Sequence, residues 1–224
     1  MAYPPTITLK GRLSFPSLTM EDAIALNDRS TYPVTPDRVK PSFNLLIDQD
    51  TLDKLVAFLE DEFLPFCTMQ FKANEQKNAI EPKHVKRLAS ELKARDWEDQ
   101  PPYLAIKPVP EKTQEMAPDA VASVKVTGFP GKDILERAVV RGEEEVDEAF
   151  RDEVSKYPTV IDIGMATHSL YAGCVAAATL SPYAYVSGAL PGISLSTNSL
   201  FFKEDAEQFG GDDGFVDEDA LFDL

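Results

Sequence analysis

Tyr171-Ala172-Gly173-Cys174-Val175-Ala176-Ala177-Ala178, then Tyr183-Ala184-Tyr185-Val186, then Gly192-Ile193-Ser194-Leu195-Ser196-Thr197-Asn198-Ser199-Leu200-Phe201-Phe202-Lys203 decide the fold. The first is a small-residue strand, the second alternates rings with small residues, and the third is long enough to be the final strand of a sheet. Thr159-Val160-Ile161-Asp162-Ile163, just upstream, is a β-branched strand. A period of two puts the rings of Tyr183 and Tyr185 on one strand face, where they stack or bury together.

The N-terminal end repeats this habit. Residues 6–15 alternate apolar and polar around Ile7, Leu9, Leu13 and Phe15, with Gly11 suggesting a bulge or bend. Lys10 and Arg12 fall off the apolar phase and face away from the core, either as solvated strand cations or as the first cations of a phosphate-tracking groove. Pro16 to Pro41 reads as turn, and Ser42–Asp48 as a buried strand. Between the terminal strand sets lie helices. Asp50 as N-cap and Leu52, Leu55, Val56, Leu59 and Phe63 predict a helix over 51–64 that Pro65 stops. Pro82 opens a second helix to about Arg95, with Val85, Leu88 and Leu92 inward and Lys83, Lys86, Arg87, Lys93 and Arg95 as a basic face. Tyr103–Val109 and Ala120–Thr127 read as strands, and the acidic stretch 133–156 as one or two surface helices. Strands first, helices in the middle and strands last make a mainly β chain with helical insertions, closing into one small barrel.

Charge is distributed unevenly. The chain carries -16 overall, and nine acids with no base follow Lys203, which leaves 29 acids against 22 bases in residues 1–203, a net of -7. A cationic groove on this body is therefore local. No apolar run reaches the ~18–20 residues of a membrane span, and Met1-Ala2-Tyr3-Pro4-Pro5 is no signal peptide, so a cytosolic protein is expected. Cys67 and Cys174 read as buried hydrophobes, and with His84 and His168 they make no metal-binding spacing. Gly128-Phe129-Pro130-Gly131-Lys132 lacks the phosphate-loop spacing, His168-Ser169 lacks a nucleophile elbow, and Asp212-Asp213-Gly214 lacks the alternating ligands of a calcium loop. No catalytic residue, metal or cofactor is expected.

The last stretch, Gly210-Gly211-Asp212-Asp213-Gly214-Phe215-Val216-Asp217-Glu218-Asp219-Ala220-Leu221-Phe222-Asp223-Leu224, is too charged to fold alone. Its apolar residues suit a docking peptide: charge steers it to a basic patch and a ring fills a pocket. Being anionic and tethered, it can also occupy the body's own cationic groove and imitate DNA. The division expected is a body over 1–203, expanded by helical insertion at about 70–156, and a flexible acidic tail over 204–224.

Residues 157–224 resemble phage-encoded single-stranded DNA-binding proteins. The resemblance runs through Pro158-Thr159-Val160-Ile161-Asp162, Leu170-Tyr171-Ala172-Gly173-Cys174, Tyr183-Ala184-Tyr185, Gly192-Ile193-Ser194-Leu195 and Phe201-Phe202-Lys203-Glu204-Asp205-Ala206-Glu207-Gln208-Phe209-Gly210-Gly211. Its most specific pieces are Tyr-x-Gly-Cys and Glu-x-Phe-Gly-Gly. It implies an OB-fold, a partly open five-stranded β-barrel, that binds single-stranded DNA without sequence preference. The setting it implies is phage DNA replication and recombination in the cytoplasm of the infected bacterial host. Such a groove stacks bases on rings while cations follow phosphates. Tyr171, Tyr183, Tyr185 and Phe202 are the candidate rings, each with core packing as its alternative, and Lys10, Arg12, Lys125 and Lys203 the candidate cations. In the tail, Phe215, Asp217, Glu218, Asp219, Leu221, Phe222, Asp223 and Leu224 are the candidate docking residues for replication proteins such as a phage DNA polymerase or helicase. The chain is expected to be a monomer or homodimer without membrane contact. The competing readings are an acidic β-rich interaction adaptor or DNA mimic, and a metal-dependent nuclease.

Overall fold

The structure, a computed structural model, describes residues 3–75, 77–95, 104–129, 131–134, 139–141 and 170–209. Its strands are β1 (Ile7–Ser17), β2 (Ser42–Ile47), β3 (Ile106–Pro108), β4 (Ala122–Thr127), β5 (Val139–Arg141), β6 (Val175–Ser187) and β7 (Leu190–Glu204). Its helices are α1 (Met20–Arg29), α2 (Gln49–Phe58), α3 (Leu64–Lys72), α4 (Pro82–Ala94) and α5 (Glu111–Met116).

Five of the strands close on themselves. β1 pairs antiparallel with β2 and β6, β2 with β4, and β6 with β7. A short parallel pairing, Val126 with Leu195 and Thr127 with Ser196, then joins β4 to β7 and shuts the barrel. Antiparallel pairs around the ring with one parallel closure between the third and fifth strands are the topology of an OB-fold. β3 continues the free edge of β4, and β5 lies parallel beside β7. Inward residues follow the expected alternation: Ile7, Leu9 and Leu13 from β1, Phe43, Leu45 and Ile47 from β2, Val124 and Val126 from β4, Leu180 and Ala184 from β6, and Ile193 and Leu195 from β7. Leu52, Leu55 and Val56 of α2, Leu64 and Phe66 of α3, and Leu88 and Leu92 of α4 bring the helices into the same core.

Several expectations change. Gly11 makes no bulge; it lets β2 approach, since a Cβ there would sit 2.5 Å from the Leu46 carbonyl oxygen. The irregularity in β1 lies between Ser14 and Ser17, where Phe15 has φ 47. The turn-rich stretch after β1 holds α1, capped by Thr19, whose hydroxyl accepts from Asp22 N (3.1 Å) and donates to Asp22 Oδ2 (2.6 Å). Asp48, not Asp50, caps α2, accepting from Thr51 N at 2.8 Å; hydrogen bonding from Thr51, its side chain first and this backbone N–H second, holds the Asp48 carboxyl below the usual range. Pro65 does not end the helix. A π turn over Leu59–Phe63, in which Leu64 N donates to Leu59 O, shifts the ladder so that Pro65, with no N–H to give, lies in the first turn of α3. The strand expected to begin at Tyr171 begins at Val175, after a turn, and runs unbroken through Tyr185. Val139–Arg141 is a strand where a helix was expected; residues 142–156 and 159–163 lie outside the described residues. Cys67 and Cys174 are buried and unbridged.

Candidate nucleic-acid interface

The outward face of β4 carries Lys125 and Thr127, two residues apart. Asn44 lies opposite Lys125 on β2, and Ser42 opposite Thr127. The strip continues across the barrel closure. Thr127 Oγ1 lies 3.5 Å from Ser194 Oγ and donates to Leu195 O at 3.3 Å, and Ser194 is paired with Tyr183 on β6. Tyr183 and Tyr185 share the outward face, as the alternation requires, and Tyr183 is 47% exposed. The hairpin that carries them turns at Gly188-Ala189 and is braced from below: Asn78 Oδ1, buried, accepts from Ala184 N at 2.8 Å. A ring, a row of small hydroxyl residues and a cation thus lie on one continuous outward strip. It runs over the second and third barrel strands and onto the last hairpin, the face with which OB-folds take up oligonucleotides.

The other candidates are placed differently. Arg12 is committed to the body: Nε donates to Gly173 O (2.9 Å), one terminal nitrogen to Met116 O (2.5 Å) and the other to Glu207 O, with the Phe209 ring 4.3 Å from the guanidinium carbon. Tyr171 is likewise a staple. Its hydroxyl accepts from Ala206 N (3.0 Å) and its one proton serves Ala206 O (2.9 Å) or Asp205 Oδ1 (3.1 Å). Burial pushes that hydroxyl's pKa up, and the nearby Asp205 carboxylate adds to the rise. Together these residues strap 205–209 onto the barrel, and Phe209 is buried against Leu46, Ala117 and Ala120. The packed body therefore reaches Phe209, past the expected boundary at 203; the tail residues Phe215, Asp217, Glu218, Asp219, Leu221, Phe222, Asp223 and Leu224 lie outside the described residues.

Phe202 packs against the core, not outward. Lys10 pairs with Glu204 (Nζ to Oε1, 2.6 Å), and that hydrogen bond holds the Glu204 carboxyl below its usual range. Lys203 lies near the end of β7, about 30 Å along the strand from Ser194. Lys125, Tyr183 and Tyr185 are thus brought together; Lys10 and Lys203 form a separate end; Arg12 and Tyr171 bond to the 205–209 segment, and Phe202 packs against the core. Asn44, Thr127 and Ser194 were not singled out by sequence, although the alternation of β2, β4 and β7 places them outward. Of the basic face of α4, Lys83 pairs with Glu81, Arg87 with Glu91 and Arg95 with Asp53. Among the described residues no group of three His, Cys, Asp or Glu is placed to hold a metal ion, and no helix is long and apolar enough to cross a membrane.

No protein-family model matches the chain, and no curated protein matches it. Solved structures do. The single-stranded DNA-binding protein from bacteriophage Enc34 is similar at 17% identity and a TM-score of 0.49, covering 97% of this chain and 90% of that one. The same phage protein in complex with ssDNA is similar at 15% identity and a TM-score of 0.49, covering 92% and 89%. The single-stranded DNA-binding protein encoded by bacteriophage T7 is similar at 13% identity and a TM-score of 0.45, covering 96% of each chain.

Proposed function

We propose that this chain binds single-stranded DNA without sequence preference and serves phage DNA replication and recombination as a coat protein. The observation that carries the reading is the outward strip itself: an exposed ring at Tyr183, hydroxyl residues at Ser194 and Thr127, and a cation at Lys125, on the oligonucleotide-binding side of a closed OB barrel. In the mechanism, bases leave their own stack for Tyr183 and Tyr185, the Lys125 ammonium follows the phosphate backbone, and the hydroxyls and Asn44 make non-selective polar contacts. Every base has a π-face, so such binding is blind to sequence. The test is a titration of fluorescent oligo-dT across a salt series. The logarithm of affinity is expected to fall with log salt by roughly 0.7 per phosphate contact, and duplex DNA is expected not to compete. No binding at low salt would sink the reading and favour the acidic adaptor.

The tail enters the same scheme as a competitor and a recruiter. Residues 210–224 carry six acids and no base, a charge that suits a tethered segment to compete with DNA for a cationic groove. Deleting 210–224, while leaving the Arg12 strap intact, is expected to tighten oligo-dT binding several-fold, most at low salt. Unchanged or weaker binding in the truncated chain would mean that the tail does not occupy the groove. Displaced by DNA, the tail offers Phe215, Leu221, Phe222 and Leu224 within an acidic frame to a basic pocket on a replication polymerase or helicase.

A further inference from the structure

We infer that Tyr32 is a second base-stacking position, held ready at the barrel rim, so that a bound single strand runs from the β6–β7 hairpin across β4 to the β1–β2 loop. This rests on the single-strand reading and extends it to a loop that carries none of the residues placed on the strip. Tyr32 is 81% exposed, so its apolar ring stands in water and is open to a stacking partner. The backbone beneath it is nevertheless pinned. The Asn27 side chain accepts from Val34 N (2.8 Å) and donates to Val34 O (3.0 Å), satisfying both backbone groups of one residue as a neighbouring strand would. Ser30 N donates to Asn27 O (3.1 Å), and Ser30 Oγ accepts from Tyr32 N (3.2 Å). The loop is closed at its base, and the ring stands at its tip.

The loop is also fixed to the proposed site. At its entry, Met20 N donates to Asp133 Oδ1, and Ile134 N to Leu18 O at 2.8 Å. At its exit, Gly128 N donates to Pro41 O at 2.8 Å. Both limbs are therefore bonded to the chain that directly follows β4, whose outward face carries Lys125 and Thr127. Exposed Arg38 and Lys40 on the return limb and Lys132 beyond β4 supply cations along that rim, beside the acids of α1. A ring whose backbone is already ordered loses little freedom on binding, which is what a stacking platform needs.

The experiment has two readouts on the full chain. Oligo-dT affinity is compared for wild type, Tyr32→Ala and Tyr32→Phe, and wild type is photo-cross-linked to an oligonucleotide bearing 5-iododeoxyuridine, with the modified peptide identified by mass spectrometry. The expected result is about a tenfold or greater loss for Tyr32→Ala, near-wild-type binding for Tyr32→Phe, and a cross-link at Tyr32. Wild-type binding that Tyr32→Ala leaves within twofold would overturn the Tyr32 placement and leave the single-strand reading standing. A wild-type chain that binds no oligonucleotide would overturn both.

Discussion

Gly173→Val is expected to lower the thermal midpoint of this protein by roughly 6–12 °C, from a loss of about 3 kcal/mol at the few degrees per kcal/mol typical of a chain this size. Gly173 has φ +108, in the region that side-chain-bearing residues rarely adopt. A Cβ there would overlap the Glu207 carbonyl oxygen and come within 2.9 Å of Phe209 N. The clash is with backbone, so it cannot relax by turning a side chain. Relief requires lifting the strap, which costs the Phe209 N to Ala172 O bond (2.9 Å), the Arg12 contacts to Gly173 O and Glu207 O, and the burial of Phe209.

Arg12→Lys distinguishes this role from a phosphate contact. An ammonium keeps the charge but cannot reach three carbonyls in the fixed fork of a guanidinium. The substitution is therefore expected to lower the midpoint and leave oligo-dT affinity of the folded protein near wild type. A lysine variant with unchanged melting but weakened DNA binding would return Arg12 to the groove. The midpoints are read by circular dichroism or calorimetry.

The barrel is legible where its strands alternate, as residues 6–15 and 183–186 do, because a period of two carries both the strand and its inward face; the other barrel strands read only as apolar or small-residue runs between turns. Tyr183 and Tyr185 were placed correctly relative to each other for the same reason. Phe202 was not. Counting by twos from Ile193 points Phe202 outward, but Thr179 and Leu180 oppose Ser199 and Thr197, so Asn198 is an extra residue and the phase inverts beyond it. Leu200 and Phe202 then face the core, and Phe201 faces out, opposite Ala177. A bulge depends on the partner strand and leaves little mark in its own sequence.

The bonds of Arg12 and Tyr171 are hidden from the sequence for a related reason. Their partners, the carbonyls of Met116, Gly173, Ala206 and Glu207, are remote backbone atoms common to every residue type. A strand cation on an outward face looks the same whether it meets a phosphate or a strap. The helix α1 did carry a signal, Thr19 followed three residues later by Asp22, which the surrounding prolines outweighed. Pro65 does not stop the helix because the π turn over Leu59–Phe63 lets one helix run into the next, and Asp48 takes the cap from Asp50 because α2 already begins at Gln49.

Tyr183→Ala is expected to weaken oligo-dT binding by roughly 5- to 150-fold, the range of about 1–3 kcal/mol for one stacked base, with the melting midpoint almost unchanged. The second half of that expectation follows from position: the ring lies on the outward face and is 47% exposed, so its removal opens no core cavity. Phe202→Ala makes the counterpart. Its ring packs against the core, so truncation is expected to cost about 2–4 kcal/mol of stability and to leave the affinity of the folded fraction intact. Lys125→Ala adds the electrostatic arm: a modest uniform loss across sequences, and a salt slope shallower by roughly 0.7. The three variants separate what one alone cannot, because a general unfolding would move all three affinities together. If Tyr183→Ala binds as wild type while Phe202→Ala binds poorly with an unchanged midpoint, the stacking face is the other side of the β6–β7 hairpin, and the proposed strip from Lys125 to Tyr183 is not the path of the strand.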